Sequence, residues 1–126
     1  MADYEMLVIG GGTGNNVAAA AADDGMETAL VEPGPLGGTC LNRGCNPSKM
    51  LIQAATAANH VREANQFFVD ARLEDIDYAA VIDDMDETLS PLAEGMEASY
   101  GEKDHLDILK SKAQFVDERT VEVDGE

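Results

Sequence analysis

Tyr4-Glu5-Met6-Leu7-Val8-Ile9-Gly10-Gly11-Gly12-Thr13-Gly14-Asn15-Asn16-Val17-Ala18 begins as an apolar-rich run, passes through a cluster of glycines and enters an alanine tract. The run Tyr4 to Ile9 suits a buried parallel strand feeding a tight turn at Gly10, Gly11 and Gly12. Asn16 to Asp24 is dominated by alanine, the best helix former, and Gly25 supplies a stop. Glu27 to Glu32 reads as a second strand, closed by Pro33-Gly34-Pro35. Strand, glycine turn, helix and strand in that order form a βαβ unit with a right-handed crossover. The predicted fold class is therefore α/β with a parallel sheet.

A turn of this kind binds dinucleotides when its glycines fall correctly. The first permits the turn, the second lets backbone approach a pyrophosphate, and the third lets helix and strand pack closely. Gly10 and Gly12 fill the first two positions, whereas Asn15 stands at the third with Gly14 beside it. Glu32 lies 22 residues after Gly10, at the end of the second strand, where a carboxylate accepts hydrogen bonds from ribose hydroxyls. The backbone amides of Thr13 and Gly14, with the positive end of the helix, would hold the pyrophosphate. The competing reading is a glycine-rich turn that binds nothing, with Glu32 an ordinary solvated charge.

The only two cysteines, Cys40 and Cys45, lie within Gly37-Gly-Thr-Cys-Leu-Asn-Arg-Gly-Cys-Asn-Pro-Ser-Lys49. A disulfide across so short a loop removes little entropy from the unfolded chain, so it would stabilise little. Two neighbouring sulfurs can instead exchange, one attacking a substrate disulfide and the other resolving the mixed disulfide. The alternative is a buried, reduced pair of the kind common in cytosolic proteins. Taken alone, the two residues leave both readings open.

Beyond the cysteines, Pro47 suits a helix start, and Ser48 to about Ala64 has helical composition. Asn65 to Ile76 reads as a connector. A second helix is predicted over Asp77 to Tyr100, with Val81, Met85, Leu89, Leu92 and Met96 on its core face and Pro91 kinking or dividing it near Ser90. Leu106 to Leu109, Ala113 to Val116 and Thr120 to Val123 read as half-buried antiparallel strands.

The chain has 126 residues, 44% hydrophobic, enough for one modest core. Its 25 acidic residues against 8 Lys and Arg give a formal net charge of -17. Nucleic acid and anionic membrane surfaces are thereby excluded as natural partners. Self-repulsion on this scale suits a proteome adapted to molar salt, where the Debye length falls to about 3 Å. Met1 to Gly12 has neither a basic leader nor an apolar run long enough for a signal peptide or membrane span, so the expected location is cytoplasmic. A reducing compartment favours the redox reading of the cysteines.

With Gly10, Gly12, Glu32 and the segment Gly37 to Lys49 together, the chain resembles the flavin-dependent pyridine nucleotide-disulfide oxidoreductases. That family includes dihydrolipoyl dehydrogenase, glutathione and mycothione reductases and mercuric reductase. The likeness runs over all 126 residues and includes Ala113-Gln-Phe-Val-Asp-Glu-Arg-Thr-Val-Glu-Val, which looks like the family's β-meander. It implies a Rossmann-like FAD-binding unit with a parallel sheet and a β-meander, forming the N-terminal part, 1–126, of an FAD domain.

The resemblance assigns Gly10, Gly12, Thr13 and Gly14 to the FAD pyrophosphate and Glu32 to the adenosine ribose. It places Gly38, Thr39 and Lys49 along the flavin, and the backbone of Lys112 and Ala113 toward the adenine. Cys40 becomes the thiol that exchanges with substrate, and Cys45 the thiol against the flavin. A helix N-terminus after Cys45 and the cation of Lys49 would both favour its thiolate. NAD(P)H is the implied co-substrate, and a lipoyl group or small-molecule disulfide the implied substrate.

Three positions depart from the family pattern. Asn15 replaces the third glycine, as in the mycothione reductase branch, Asn46 replaces an apolar residue, and Ser111 replaces a glycine of the meander. Family members are several times longer, with an NAD(P) domain and a dimerisation domain whose His-Glu pair serves the partner's site. His60 and His105 do not match that histidine's motif. The full-length protein is expected to be a homodimer, and this chain alone is expected not to turn over. The other expectations are a small-thiol disulfide reductase, a mercuric reductase whose two thiols handle a soft metal, and a non-catalytic truncated or split subunit. No resident metal site is expected.

Overall fold

The computed structural model describes residues 2–125. Its elements are β1 (Met6–Ile9), α1 (Gly14–Asp23), β2 (Thr28–Val31), α2 (Gly38–Asn42), α3 (Cys45–Glu63), a 3-10 turn (Ala64–Phe67), α4 (Tyr78–Gly101), β3 (Leu106–Leu109), β4 (Ala113–Asp117) and β5 (Thr120–Val123). β2 is the central strand of a three-stranded parallel sheet ordered β1, β2, β3. In register, Val8 pairs with Leu30, and Leu30 with Ile108. All four residues of β2 are buried, as a strand with neighbours on both edges requires.

The expected βαβ unit forms over the predicted residues. Alanine makes α1 narrow enough to lie close to the sheet: Ala18 and Ala22 pack with Leu30, Leu36 and Leu106. Val8, Ile108, and Met96 and Tyr100 of α4 complete this cluster. A second cluster joins Leu41 of α2 to Leu89 and Ala93 of α4, with Met50, Met85 and Met96 against it. Met96 thus belongs to both.

Three expectations are corrected. Leu106 to Leu109 is not antiparallel: it extends the parallel sheet beside β2, and only β4 and β5 form an antiparallel hairpin. The reason lies upstream, because α4 returns the chain across the sheet before β3, and a helical crossover delivers a parallel strand. Of the two outcomes expected at Pro91, division does not occur: α4 runs continuously through it. Pro91 and Glu87 are both exposed, so water can satisfy the carbonyl that the missing N–H abandons. Leu92 points outward at 53% exposure, and Ala93 takes the core position. The cysteine segment also holds a helix that periodicity did not indicate, the five-residue α2.

At the N-terminal ends of the strands, His105 adopts φ +61 and its Nδ1 lies 2.7 Å from Glu27 Oε1. The hydrogen bond to Glu27 raises the His105 pKa, and the charges of Glu27, Asp104 and Glu5 act the same way. A raised histidine contributes stability fully below its unfolded pKa of about 6.5 and loses it as pH climbs through the folded value. His105→Asn keeps a residue tolerant of positive φ but removes the ion pair. Its melting temperature is expected to trail the parent's at pH 5.5 and to converge on it by pH 8.5. A pH-independent gap in thermal melts would refute the pair's contribution.

Among the described residues, no helix is long and apolar enough to cross a membrane.

Candidate functional site

β1 ends at Ile9, and the chain turns at Gly10, whose φ of +105 suits glycine and whose N–H donates to Val31 O at 2.8 Å. A Cβ on Gly10 would meet nothing within 4 Å. The turn therefore exposes bare backbone to open space, as close approach by a phosphate requires. Thr13 caps α1 and Gly14 opens it, so their amides lie where a helix leaves N–H groups without helical acceptors.

Gly14 resolves the incomplete glycine pattern. A Cβ there would lie 2.7 Å from Val8 Cγ1, so Gly14 is the residue that lets α1 press onto β1. Position 15 is thereby free to carry a side chain.

Glu32 lies at the end of β2, as expected, but its carboxylate first organises protein backbone. Oε2 accepts from Gly11 N–H at 2.7 Å and Oε1 from Gly34 N–H at 2.7 Å. Each oxygen retains a lone pair for a ribose hydroxyl. With Gly34, Pro35, Gly38, Thr39, Asn42 and Arg43, Glu32 lines a cleft of about 180 Å³.

The cysteine segment is pressed directly onto the turn. Gly37 N–H donates to Gly11 O at 2.8 Å, and a Cβ on Gly38 would lie 2.6 Å from Gly12 Cα. Behind this contact, Asn42 Nδ2 donates to Leu36 O and Gly38 O, both at 3.0 Å. Cys40 is carried on α2, and Cys45 is the first residue of α3, which begins three residues earlier than predicted. Pro47, still in the first turn, has no N–H to leave unsatisfied.

Both cysteines are free thiols and exposed, which removes the buried-pair reading. The hydrogen bond with the Cys45 side chain is the main influence raising the Cys40 pKa, while the Cys45 backbone and Lys49 oppose it. The direction of the shift favours the protonated Cys40 thiol, which can donate toward the Cys45 sulfur. Cys45 itself opens a 19-residue helix.

These dispositions suit a flavin dinucleotide: a side-chain-free turn at a helix start, an acid beside it, and a dithiol on the segment packed against both. Lys112 and Ala113 follow β3, which ends beside Glu32 through the bond from Glu32 N–H to Leu109 O at 3.0 Å. Lys49 is exposed on α3. His60 is exposed on α3 and His105 is at the opposite end of the sheet, so neither joins the site. Among the described residues no cluster of His, Cys, Asp or Glu could hold a metal ion.

Residues 4–126 match the family model described as pyridine nucleotide-disulphide oxidoreductase. The chain belongs to this family. It is 42% identical over 120 residues to dihydrolipoyl dehydrogenase 2 of Haloarcula marismortui, covering 94% of this chain and 25% of that one. It is 35% identical over 125 residues to dihydrolipoyl dehydrogenase of Chlamydia pneumoniae, covering 98% of this chain and 27% of the other. Among solved structures it is similar in fold to the HOCl-induced flavoprotein disulfide reductase RclA from Escherichia coli. That likeness has TM-score 0.75 at 24% identity, over 97% of this chain and 25% of that one. The chain spans about a quarter of the length of the oxidoreductases it matches.

Several residues that shape this site were missed in the sequence. Asn42 clamps the cysteine segment, and an asparagine among glycines is the signal for such a backbone clamp. Lys110 donates from Nζ to Gly34 O at 2.5 Å and Glu97 Oε2 at 2.7 Å, tying α4 to the Glu32 turn. Only the scarcity of cations marks it in the sequence. Ser111, at the departure from glycine, is buried and its hydroxyl bonds Asp124, joining the segment that enters β4 to the one that leaves β5.

Proposed function

We propose that this chain provides the FAD-binding segment and the redox-active thiols of a flavin-dependent disulfide oxidoreductase of the dihydrolipoyl dehydrogenase type. The observation that carries the reading is the contact of Gly38 with Gly12, which puts the dithiol segment against the nucleotide turn. In this reading the amides of Thr13 and Gly14 take the pyrophosphate and Glu32 the adenosine ribose. Gly10 and Gly12 give room for approach, Gly38, Thr39 and Lys49 border the flavin, and Lys112 and Ala113 lie toward the adenine.

Bound FAD supplies the two-electron link between NAD(P)H and the thiol pair. The thiols do the exchange. Cys40 sulfur, once deprotonated, attacks a substrate disulfide, forming a mixed disulfide and releasing one substrate thiolate that takes up a proton. Cys45 sulfur then attacks Cys40 sulfur and releases the second thiol. The substrate gains two electrons and two protons, and the pair becomes the Cys40–Cys45 disulfide. Oxidation of a dihydrolipoyl group runs the same steps backward. The acidic composition and the Haloarcula relative favour a high-salt cytoplasm, and a homodimer is the proposed assembly of the full-length protein.

The test is the visible spectrum of the purified protein incubated with FAD. Flavin bands should remain after gel filtration, and a long-wavelength charge-transfer band should appear on reduction. Cys40→Ser should keep that band and Cys45→Ser should lose it. A protein that stays colourless would overturn the proposal.

A further inference from the structure

Asn15 is 3% exposed and stands where glycine completes the usual nucleotide turn. Since Gly14 takes over the close helix–strand packing, nothing in the backbone demands a small residue at 15, and the side chain has a definite task. Its Nδ2 donates to Gly11 O at 2.7 Å and approaches Met96 Sδ at 3.3 Å. Its Oδ1 is buried with no hydrogen-bond partner among the described residues. The opposite amide orientation would set an acceptor against the Gly11 carbonyl, so the orphan oxygen is the accepted consequence of aiming Nδ2 there. An unsatisfied buried acceptor costs about 1–3 kcal/mol.

The Gly11 peptide is held from three directions. Its N–H goes to Glu32 Oε2, and its carbonyl accepts both from Gly37 N–H, at the head of the cysteine segment, and from Asn15. The same asparagine, with Gly12, Thr13, Asn16, Gly37, Met96 and Tyr100, borders a cleft of about 210 Å³ between the turn and α4.

We propose that Asn15 is a positioning residue that orients the Gly11 carbonyl and so fixes the cysteine segment in register on the nucleotide turn, with Met96 as the anchor on α4. It deepens the flavin reading but does not depend on it, because the register is a property of the polypeptide itself. Asn15 touches neither reacting sulfur. Its influence passes through one shared acceptor.

Two variants test this in the flavin-free protein, read by amide hydrogen exchange at Gly37. Asn15→Leu keeps the heavy-atom count and the branching at Cγ and removes the donor, at the cost of added bulk. Exchange at Gly37 should quicken about tenfold while exchange at Leu30, on the central strand, changes much less. Asn15→Asp replaces the donor with a carboxylate facing a carbonyl, and burial favours the neutral acid. A protonated carboxyl can donate to Gly11 O again. Gly37 protection, relative to the parent at each pH, should therefore be poor at pH 8 and recover toward pH 5, a profile that simple space filling does not produce. Parent-like Gly37 protection in the Leu variant overturns the proposal. If that variant does not fold, a pH-independent ratio in the Asp variant does so. Retention or loss of FAD by the same variants reports separately on the flavin reading.

Discussion

Gly38→Ala is expected to lower the melting temperature by about 10 °C and to abolish retention of FAD. The added Cβ would lie 2.6 Å from Gly12 Cα and 3.4 Å from Gly12 N, backbone atoms that no rotamer change can move aside. Gly38 also has φ +63, which costs a residue with a Cβ about 1–2 kcal/mol. Overpacking adds about 1–3 kcal/mol, and each kcal/mol is worth roughly 4 °C in a domain of this size. Relief comes only by moving the cysteine segment off the turn, which opens the bond from Gly37 N–H to Gly11 O. Gly95→Ala is the control: in α4 its Cβ meets nothing within 4 Å, and exchange of glycine for alanine in a helix should be neutral or stabilising. Thermal melts and gel filtration with FAD read both variants. Equal behaviour of the two would show that the close contact does not govern the site.

Raising KCl from 0.1 M to 2 M is expected to raise the melting temperature by about 10 °C. Two electrostatic effects oppose each other. Salt weakens the three ion pairs seen among the described residues, Lys103 with Asp23, His105 with Glu27 and Lys110 with Glu97. Each is partly exposed, and exposed pairs contribute little to stability. Against them stands the mutual repulsion of 25 acidic side chains. α4 alone carries Asp83, Asp84, Asp86, Glu87, Glu94 and Glu97 with no lysine or arginine, and like charges spaced i, i+4, such as Asp83 and Glu87, each cost about 0.2–0.5 kcal/mol. Repulsion involves more groups, so screening wins. A melting temperature that stays flat or falls with KCl would remove the high-salt reading.

The βαβ unit was legible because its signals are local: apolar run, glycines, alanines and a closing Pro-Gly-Pro. The cysteine pair was ambiguous in sequence, and its place against the turn is what supports the exchange chemistry proposed for it. What stayed hidden depends on contacts between distant residues. Nothing near Leu106 tells a strand whether its neighbour is antiparallel β4 or parallel β2; the preceding helix decides. Asn15 looked like a defect in a glycine pattern because the compensating contact, Gly14 with Val8, joins a helix to a strand. Glu32 stands at the end of β2 as expected, and its bonds to Gly11 and Gly34 show that it organises backbone as well as lining the cleft.

The two pairings of β2 close loops of very different length. Met6 pairs with Thr28 across 22 residues, whereas Val31 pairs with Leu109 across 78. Closing the longer loop costs about 1 kcal/mol more in chain entropy. During synthesis everything the nucleotide turn needs from β1, α1 and β2 has been made by Glu32, before either cysteine exists. The thiols are therefore synthesised after every residue of the turn they pack against, and β3 is the last strand of the parallel sheet to be made.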